Sequence, residues 1–254
     1  MIDPIISSLL APVMEIAESA GAFLRNHHDK MTSIEYDRRD VKTDADRRAE
    51  DLILNDLRKL ADFPMLSEER GTVESQAVSS DYVWIVDPLD GTMNYVRGIP
   101  GSCVSLALWR AEVPVLGVVY SFHNNEMFSG IVGEGARLAG QPIRVSETKD
   151  AKSAILLTGI PVGGEFDEQS VERFVRHVTR FRKIRMIGSA ALSLAYVAAG
   201  RGDAYYERHI RTWDIAAGLA IVLAAGGRIQ VTQTGKPHSV VAYAGNAYIE
   251  PVTA

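Results

Sequence analysis

Cysteine is almost missing from this chain: Cys103 is the only one in 254 residues. An intrachain disulfide is therefore excluded, and nothing calls for an oxidising compartment. Excess positive charge is also missing. With 27 Lys and Arg against 32 Asp and Glu, the formal net charge is −5, so no global attraction favours nucleic acid or an anionic membrane. The opening Met1-Ile-Asp-Pro4 has no basic stretch, and no segment reads as the roughly 20 uncharged apolar residues of a membrane span. Neither secretion nor insertion is expected, and the cytoplasm is the default compartment. Internal repeats, low-complexity tracts and long linkers are lacking too. What remains is 46% hydrophobic and 23% charged, enough to bury a core in one large domain or two packed lobes with small-molecule partners.

Apolar spacing supplies the elements. Asp3-Pro4 reads as a helix start, and Ile5, Leu9, Val13, Ile16, Ala20 and Leu24 keep a helical period behind it. His27 and His28 follow as a solvated helix end; adjacent residues face different ways and no third soft ligand lies nearby. Residues 29–40 are polar and predict a mobile loop or loose hairpin. A second helix begins near Thr43-Asp44-Ala45-Asp46 and stops before Pro64, where Asp44 and Asp46 suit capping and dipole compensation. Strands are expected at Tyr82 to Val86, Cys103 to Trp109, Val115 to Tyr120 and Met127 to Ile131, the last three as an antiparallel sheet. After Val145-Ser146, strand candidates (Ser153 to Leu157, Arg182 to Met186, Asp203 to Tyr206) alternate with helix candidates (Glu168 to Val178, Ser189 to Ala199, Trp213 to Ala225). This predicts an α+β lobe over residues 1–144 packed against an α/β lobe over 145–254.

Chemistry concentrates in Asp87-Pro88-Leu89-Asp90-Gly91-Thr92. A strand running into this segment reads as ending in a tight turn with two carboxylates three residues apart. Such carboxylates repel unless a cation sits between them. Gly91 and Thr92 add backbone N–H groups and a hydroxyl that suit an anion. Other acids stand at the ends of predicted elements: Glu68 in Ser67-Glu68-Glu69, Asp214 in Trp213-Asp214-Ile215-Ala216-Ala217-Gly218, and Glu207 where a strand leaves for a helix. Gly188-Ser189-Ala190-Ala191 opens a helix with small residues, as an N-cap or as a place where a ligand approaches the backbone. Oxygen donors without Cys or His point to Mg²⁺ or a similar hard cation, and hence to metal-assisted chemistry on a phosphate.

In these blocks the sequence resembles the inositol monophosphatase family. Its motif Asp-Pro-(Leu/Ile)-Asp-Gly-Thr stands unbroken as Asp87 to Thr92, and Trp-Asp-x-Ala-(Ala/Gly)-Gly as Trp213 to Gly218. The upstream elements stand as Ser67-Glu68-Glu69 and Thr43-Asp44-Ala45-Asp46, all in family order. The resemblance implies the family's layered αβαβα sandwich, shared with fructose-1,6-bisphosphatase. It also implies two or three Mg²⁺ ions, a first on Glu68, Asp87, the Leu89 carbonyl and Thr92, and a second on Asp87, Asp90 and Asp214. Glu68 would share a third. Thr92, bonded to Asp46, would orient and help deprotonate the attacking water. Gly91 and Thr92 would hold the phosphate, and Asp90, Ser189, Ala190 and Glu207 the polyol.

Met93-Asn94-Tyr95 after the threonine matches the monophosphatase branch, so inositol monophosphate is the expected substrate. Fructose 1,6-bisphosphate, histidinol phosphate and 3′-phosphoadenosine 5′-phosphate are the alternatives on the same frame. A homodimer and lithium sensitivity are implied as well. Two departures stand out: Arg38 or Arg39 replaces a lysine of the first loop, and Ala224 replaces a glutamate before Ala225-Gly226-Gly227. Haloacid-dehalogenase-type chemistry needs two aspartates with one residue between them, which Asp87 and Asp90 do not provide. A metal-dependent regulatory protein without turnover is the reading from a different class.

Overall fold

The computed structural model describes residues 4–37, 40–75, 80–160, 167–246 and 249. Helix α1 (Pro4–His27) precedes a hairpin of β1 (Ile34–Asp37) and β2 (Asp40–Thr43), helix α2 (Asp44–Leu60), and the short strands β3 (Met65–Ser67) and β4 (Gly71–Val73). Then come β5 (Tyr82–Asp90), α3 (Thr92–Val96), β6 (Cys103–Arg110), β7 (Val113–Ser121), β8 (Glu126–Ile131), β9 (Gly135–Leu138) and β10 (Gln141–Ile143). The rest alternates as β11 (Ile155–Thr158), α4 (Glu168–Val178), β12 (Lys183–Arg185), α5 (Ala190–Ala198), β13 (Ala204–Arg211) and α6 (Thr212–Ala224), closing on β14 (Arg228–Gln233) and β15 (Ser239–Gly245). Arg38 and Arg39 lie outside the described residues.

Two sheets organise these elements. One has the order β10-β9-β8-β7-β6-β5-β3-β4, the other β12-β11-β13-β15-β14. In the first only β3 and β5 run parallel, as expected where hairpins connect neighbours. In the second, β11 lies parallel to both β12 and β13, with α4 and α5 in the crossovers.

Each helix shows the layer it occupies. In α1, Ile6, Leu9, Val13, Ala17, Ala20 and Leu24 form one buried stripe, and in α2 Ile53, Leu54 and Leu57 form another; both pack on Trp84, Leu106 and Tyr120 of the first sheet. One apolar stripe means one covered face. Helices α5 and α6 are apolar nearly all round because both their faces are covered. Ile85, Ala107 and Val119 of the first sheet close on one side, and Tyr205, Ala242 and Ala244 of the second close on the other. The outer face of the second sheet takes α4 through Phe174 and Val178. The order is helices, sheet, helices, sheet, helix, which is the αβαβα sandwich expected from sequence.

Several expectations need correction. The segment Ile5–Lys30 is long and apolar enough, by length and composition, to cross a membrane; its apolar stripe is instead packed into the core. His27 is not a solvated helix end: it is 7% exposed, stacks on Phe23 and meets Asp44 Oδ2 at 3.2 Å through Nε2. Residues 87–90 are not a turn beyond the strand but its last four residues. Strands β3, β4, β9, β10, β14 and β15 correspond to no strand expected from sequence.

Candidate active site

The site begins with a fault in β5. Asp87 pairs with Ser105 and Asp90 with Cys103, so three steps on β5 oppose two on β6. The extra residue is a bulge, and it falls where Pro88 has no N–H to give to the ladder. Asp87 Oδ1 accepts the Leu89 N–H at 3.0 Å, which fixes the kink. Gly91 then turns the chain into α3 with φ +86°, a left-handed conformation that glycine adopts without strain. A Cβ on Gly91 would lie 2.8 Å from the Gly101 carbonyl oxygen and 3.1 Å from that of Gly188.

Asp46 reaches this turn from the start of α2. Its Oδ2 accepts the Thr43 N–H at 2.7 Å and the Thr43 hydroxyl at 2.6 Å, while Thr43 Oγ1 accepts the Ala45 N–H at 3.0 Å. These bonds form a capping box. Its other oxygen, Oδ1, lies 3.0 Å from Thr92 Oγ1, which is also 3.0 Å from the Leu89 carbonyl. Capping and site-building are thus done by the two oxygens of one carboxylate. Burial pushes the Asp46 pKa up to about 6, against the bonds from Thr43 and Thr92. Asp44, in contrast, only builds structure. It accepts from the Thr32 and Ser33 backbone, and its bonds with Thr32, His27 and Ser33 outweigh burial and hold its pKa below the usual range.

Glu68 sits in the turn between β3 and β4. Sequence reasoning missed what secures that turn: the buried carboxylate of Glu50 on α2. Its Oε1 accepts from the Ser67 hydroxyl and from the N–H groups of Glu69 at 3.2 Å and Arg70 at 3.3 Å. Arg70 completes the arrangement with an ion pair to Glu50 Oε2. A signal existed, because Glu50 lies on the same helical stripe as Ile53, Leu54 and Leu57, where an apolar residue is expected.

The opposite wall comes from α5, α6 and β13. Asp90 Oδ2 accepts the Ser189 hydroxyl at 2.6 Å and the Ala191 N–H at 2.7 Å. Ser189 also caps α5 by accepting the Leu192 N–H, so it too combines two roles. Asp214, at the third position of α6, accepts the Arg211 N–H at 3.2 Å. Glu207 is buried and accepts the Tyr205 hydroxyl at 2.9 Å. A bulge separates Glu207 from Ile210.

Electrostatics binds these acids into one site. Asp87 is driven well up by burial and by the charges of Glu68, Asp90 and Asp214, and its carboxyl is within hydrogen-bonding reach of Glu68. Asp214 is driven well up by burial, Asp90 and Glu68. Asp90 rises to about 6 through burial, opposed by Ser189 and the N–H groups of Ala191, Gly91 and Ala190. Burial lifts Glu207 to about 7. The largest charges acting on Asp87 and Asp214 all come from other carboxylates. Among the described residues no three of these side chains are already gathered at metal-ligand geometry. The donor set nevertheless fits a hard divalent cation: it is all oxygen, Asp87 and Asp90 are buried, and its carboxylates repel one another.

Comparison with known proteins agrees with this architecture. A family description, Inositol monophosphatase family, matches residues 6–249. The chain is 38% identical over 222 residues to the Nus factor SuhB of Xylella fastidiosa, covering 85% of this chain and 79% of that one. It is 36% identical over 232 residues to the inositol monophosphatase of Mesembryanthemum crystallinum, covering 88% and 85%. The crystal structure of the extragenic suppressor protein suhB from Bartonella henselae superposes with a TM-score of 0.83 at 33% identity, over 94% of this chain and 93% of that one. With a family match over residues 6–249 and the same fold over most of the chain, this chain belongs to the inositol monophosphatase family.

Proposed function

We propose that the protein is a Mg²⁺-dependent phosphatase of small phosphate monoesters, with inositol monophosphate as its substrate. The observation that supports this best is the convergence of carboxylates on Asp87, which is raised by burial and by the charges of Glu68, Asp90 and Asp214, while Asp214 is raised by burial, Asp90 and Glu68. Glu68, Asp87, the Leu89 carbonyl, Asp90 and Asp214 are the residues that would hold two or three Mg²⁺ ions. Bound there, the cations supply Lewis acidity, making water nucleophilic at neutral pH and offsetting charge on the phosphate and the leaving oxygen.

The remaining roles belong to the protein's own groups. The Thr92 hydroxyl, 3.0 Å from Asp46, orients the attacking water and passes its proton toward a carboxylate whose pKa of about 6 suits a base. The N–H groups of Gly91 and Thr92 hold phosphate oxygens. Ser189 and Ala190 border the polyol. Glu207, held by Tyr205, accepts from a polyol hydroxyl and so rejects analogues that lack it. The attack is direct and in line, without a covalent enzyme intermediate.

The proposal extends to inhibition by lithium, a homodimer and a cytoplasmic location. Activity unchanged by lithium, or a monomer by light scattering, would count against the first two. The second reading is a regulatory protein without turnover, which the Nus-factor name of the Xylella relative favours; the complete set of carboxylates favours the phosphatase. A panel of inositol 1-phosphate, fructose 1,6-bisphosphate, histidinol phosphate and 3′-phosphoadenosine 5′-phosphate tests the choice. Fastest turnover of inositol 1-phosphate is expected, and no phosphate release from any of the four would sink the enzyme reading.

A further inference from the structure

Asn94 lies in α3, two residues beyond Thr92, and no role above uses it. Its side-chain Nδ2 donates to the Gly101 carbonyl at 2.9 Å and to the Ile187 carbonyl at 2.8 Å. Two carbonyl acceptors require the amide nitrogen there, which fixes the orientation of the carboxamide. Both N–H donors are then committed, one to each of two loops far apart in sequence. The Ile187 loop leads directly into Ser189 and Ala190, and the Asn94 helix leads directly out of Gly91 and Thr92. Asn94 is therefore a strut between the segment assigned to the phosphate and the segment assigned to the polyol.

The surroundings are shaped for that carboxamide. A Cβ on Gly101 would lie 2.9 Å from Asn94 Nδ2, and one on Gly188, where φ is +80°, would lie 3.0 Å from it. The Asn94 main-chain carbonyl accepts the Ile99 N–H at 2.9 Å, which turns the chain toward Gly101. Asp90 makes the second tie to α5, through Ser189 and Ala191. The two ties flank Gly91, so the width of the cleft between them is set by one carboxylate and one carboxamide.

We propose that Asn94 is a positioning residue that fixes the distance between the phosphate cradle and the start of α5, and thereby favours phosphate esters of polyols over esters with no hydroxyls. This rests on the phosphatase reading. An ester that touches only the cradle does not sense that distance, whereas one that touches both segments does. An aspartate at position 94 keeps the shape but has no donor, and its charge faces two carbonyl oxygens.

The test compares kcat and KM of wild type and Asn94→Asp on inositol 1-phosphate and on methyl phosphate, with folding followed by circular dichroism. Losing two hydrogen bonds to carbonyls should lower kcat/KM for inositol 1-phosphate about 10- to 100-fold more than for methyl phosphate, chiefly through KM. Asn94→Ala, which removes both donors without adding charge, should show the same preferential loss and serves if the aspartate variant does not fold. Equal losses on the two esters, or no loss on either, overturn the proposal and leave the phosphatase reading intact. A wild-type protein that hydrolyses neither ester overturns both.

Discussion

Gly91→Ala is the substitution whose cost the structure defines most closely. The residue has φ +86°, and a left-handed backbone costs a residue with a Cβ about 1–2 kcal/mol. The new methyl would also stand 2.8 Å from the Gly101 carbonyl oxygen and 3.1 Å from that of Gly188. Both neighbours are backbone and cannot rotate away, so overpacking adds about 1–3 kcal/mol. Gly98 is the internal control, with φ +65° and no atom within 4 Å of a built Cβ; it should lose the conformational part alone. Gly91→Ala should therefore be less stable than Gly98→Ala by about 1–3 kcal/mol, seen in thermal unfolding as a further drop of about 2–12 °C for a chain of this size. Its phosphatase activity should fall as well, because the clash separates Gly91 from the loop that carries Ser189. Equal Tm values for the two variants would refute the claim that the turn is held by close backbone contact.

Three further outcomes follow from the same structure. Asp90→Asn keeps an oxygen to accept from Ser189 and Ala191 while removing a charge that raises Asp87 and Asp214. Phosphate release should fall by about 10²–10³ with Tm little changed; a collapse of Tm with specific activity retained would contradict the assignment. His177 is 4% exposed, lies 4.1 Å from the Tyr206 ring between centroids, and its ring nitrogens have no hydrogen-bond partner among the described residues. Burial and Arg180 lower its pKa from 6.5 to about 4. Below pH 6.5 the unfolded chain takes up a proton that the folded chain refuses until about pH 4. Its neutral burial therefore contributes fully above 6.5, and that contribution is lost between 6.5 and 4, by about 1–2 kcal/mol once solvent screening is allowed for. In denaturant titrations at several pH values, His177→Phe should flatten that part of the profile; an unchanged slope would refute it. Glu50→Gln should leave α2 intact but loosen the turn holding Glu68, raising the Mg²⁺ concentration needed for half-maximal activity several-fold; an unchanged Mg²⁺ dependence would refute that role.

Much of this fold could be read from local pattern, and the failures share causes. The stripe on α1, the antiparallel run of β6 to β8 and the alternation beyond Val145 follow from periods of 3.6 and 2. Strand β14 escaped because it is an edge strand with four of its six residues exposed, so no buried face imposes alternation. Strand β15 is buried, but Ala242, Ala244 and Gly245 have little strand propensity of their own. At the site, the acidic blocks gave the residue types and their order. What sequence could not supply was the distribution of work within a side chain: Asp46 dividing its oxygens between Thr43 and Thr92, Ser189 capping α5 while bonding Asp90, Glu50 gripping a turn from 17 residues away. Those depend on tertiary approach, which periodicity does not encode. The bulge was missed for the opposite reason, because Asp-Pro and Asp-Gly are so strongly turn-forming that they read as the end of β5.

The central claim is that Asp87 and its neighbours gather Mg²⁺ to make water attack a phosphate monoester. Its most direct test is phosphate release from inositol 1-phosphate titrated with Mg²⁺ after chelation, for wild type and Asp87→Asn side by side. The account predicts no release from the chelated protein, full recovery on adding Mg²⁺, and little recovery in Asp87→Asn at any Mg²⁺ concentration. Release without a divalent cation, or an aspartyl-phosphate trapped on Asp87, would contradict it.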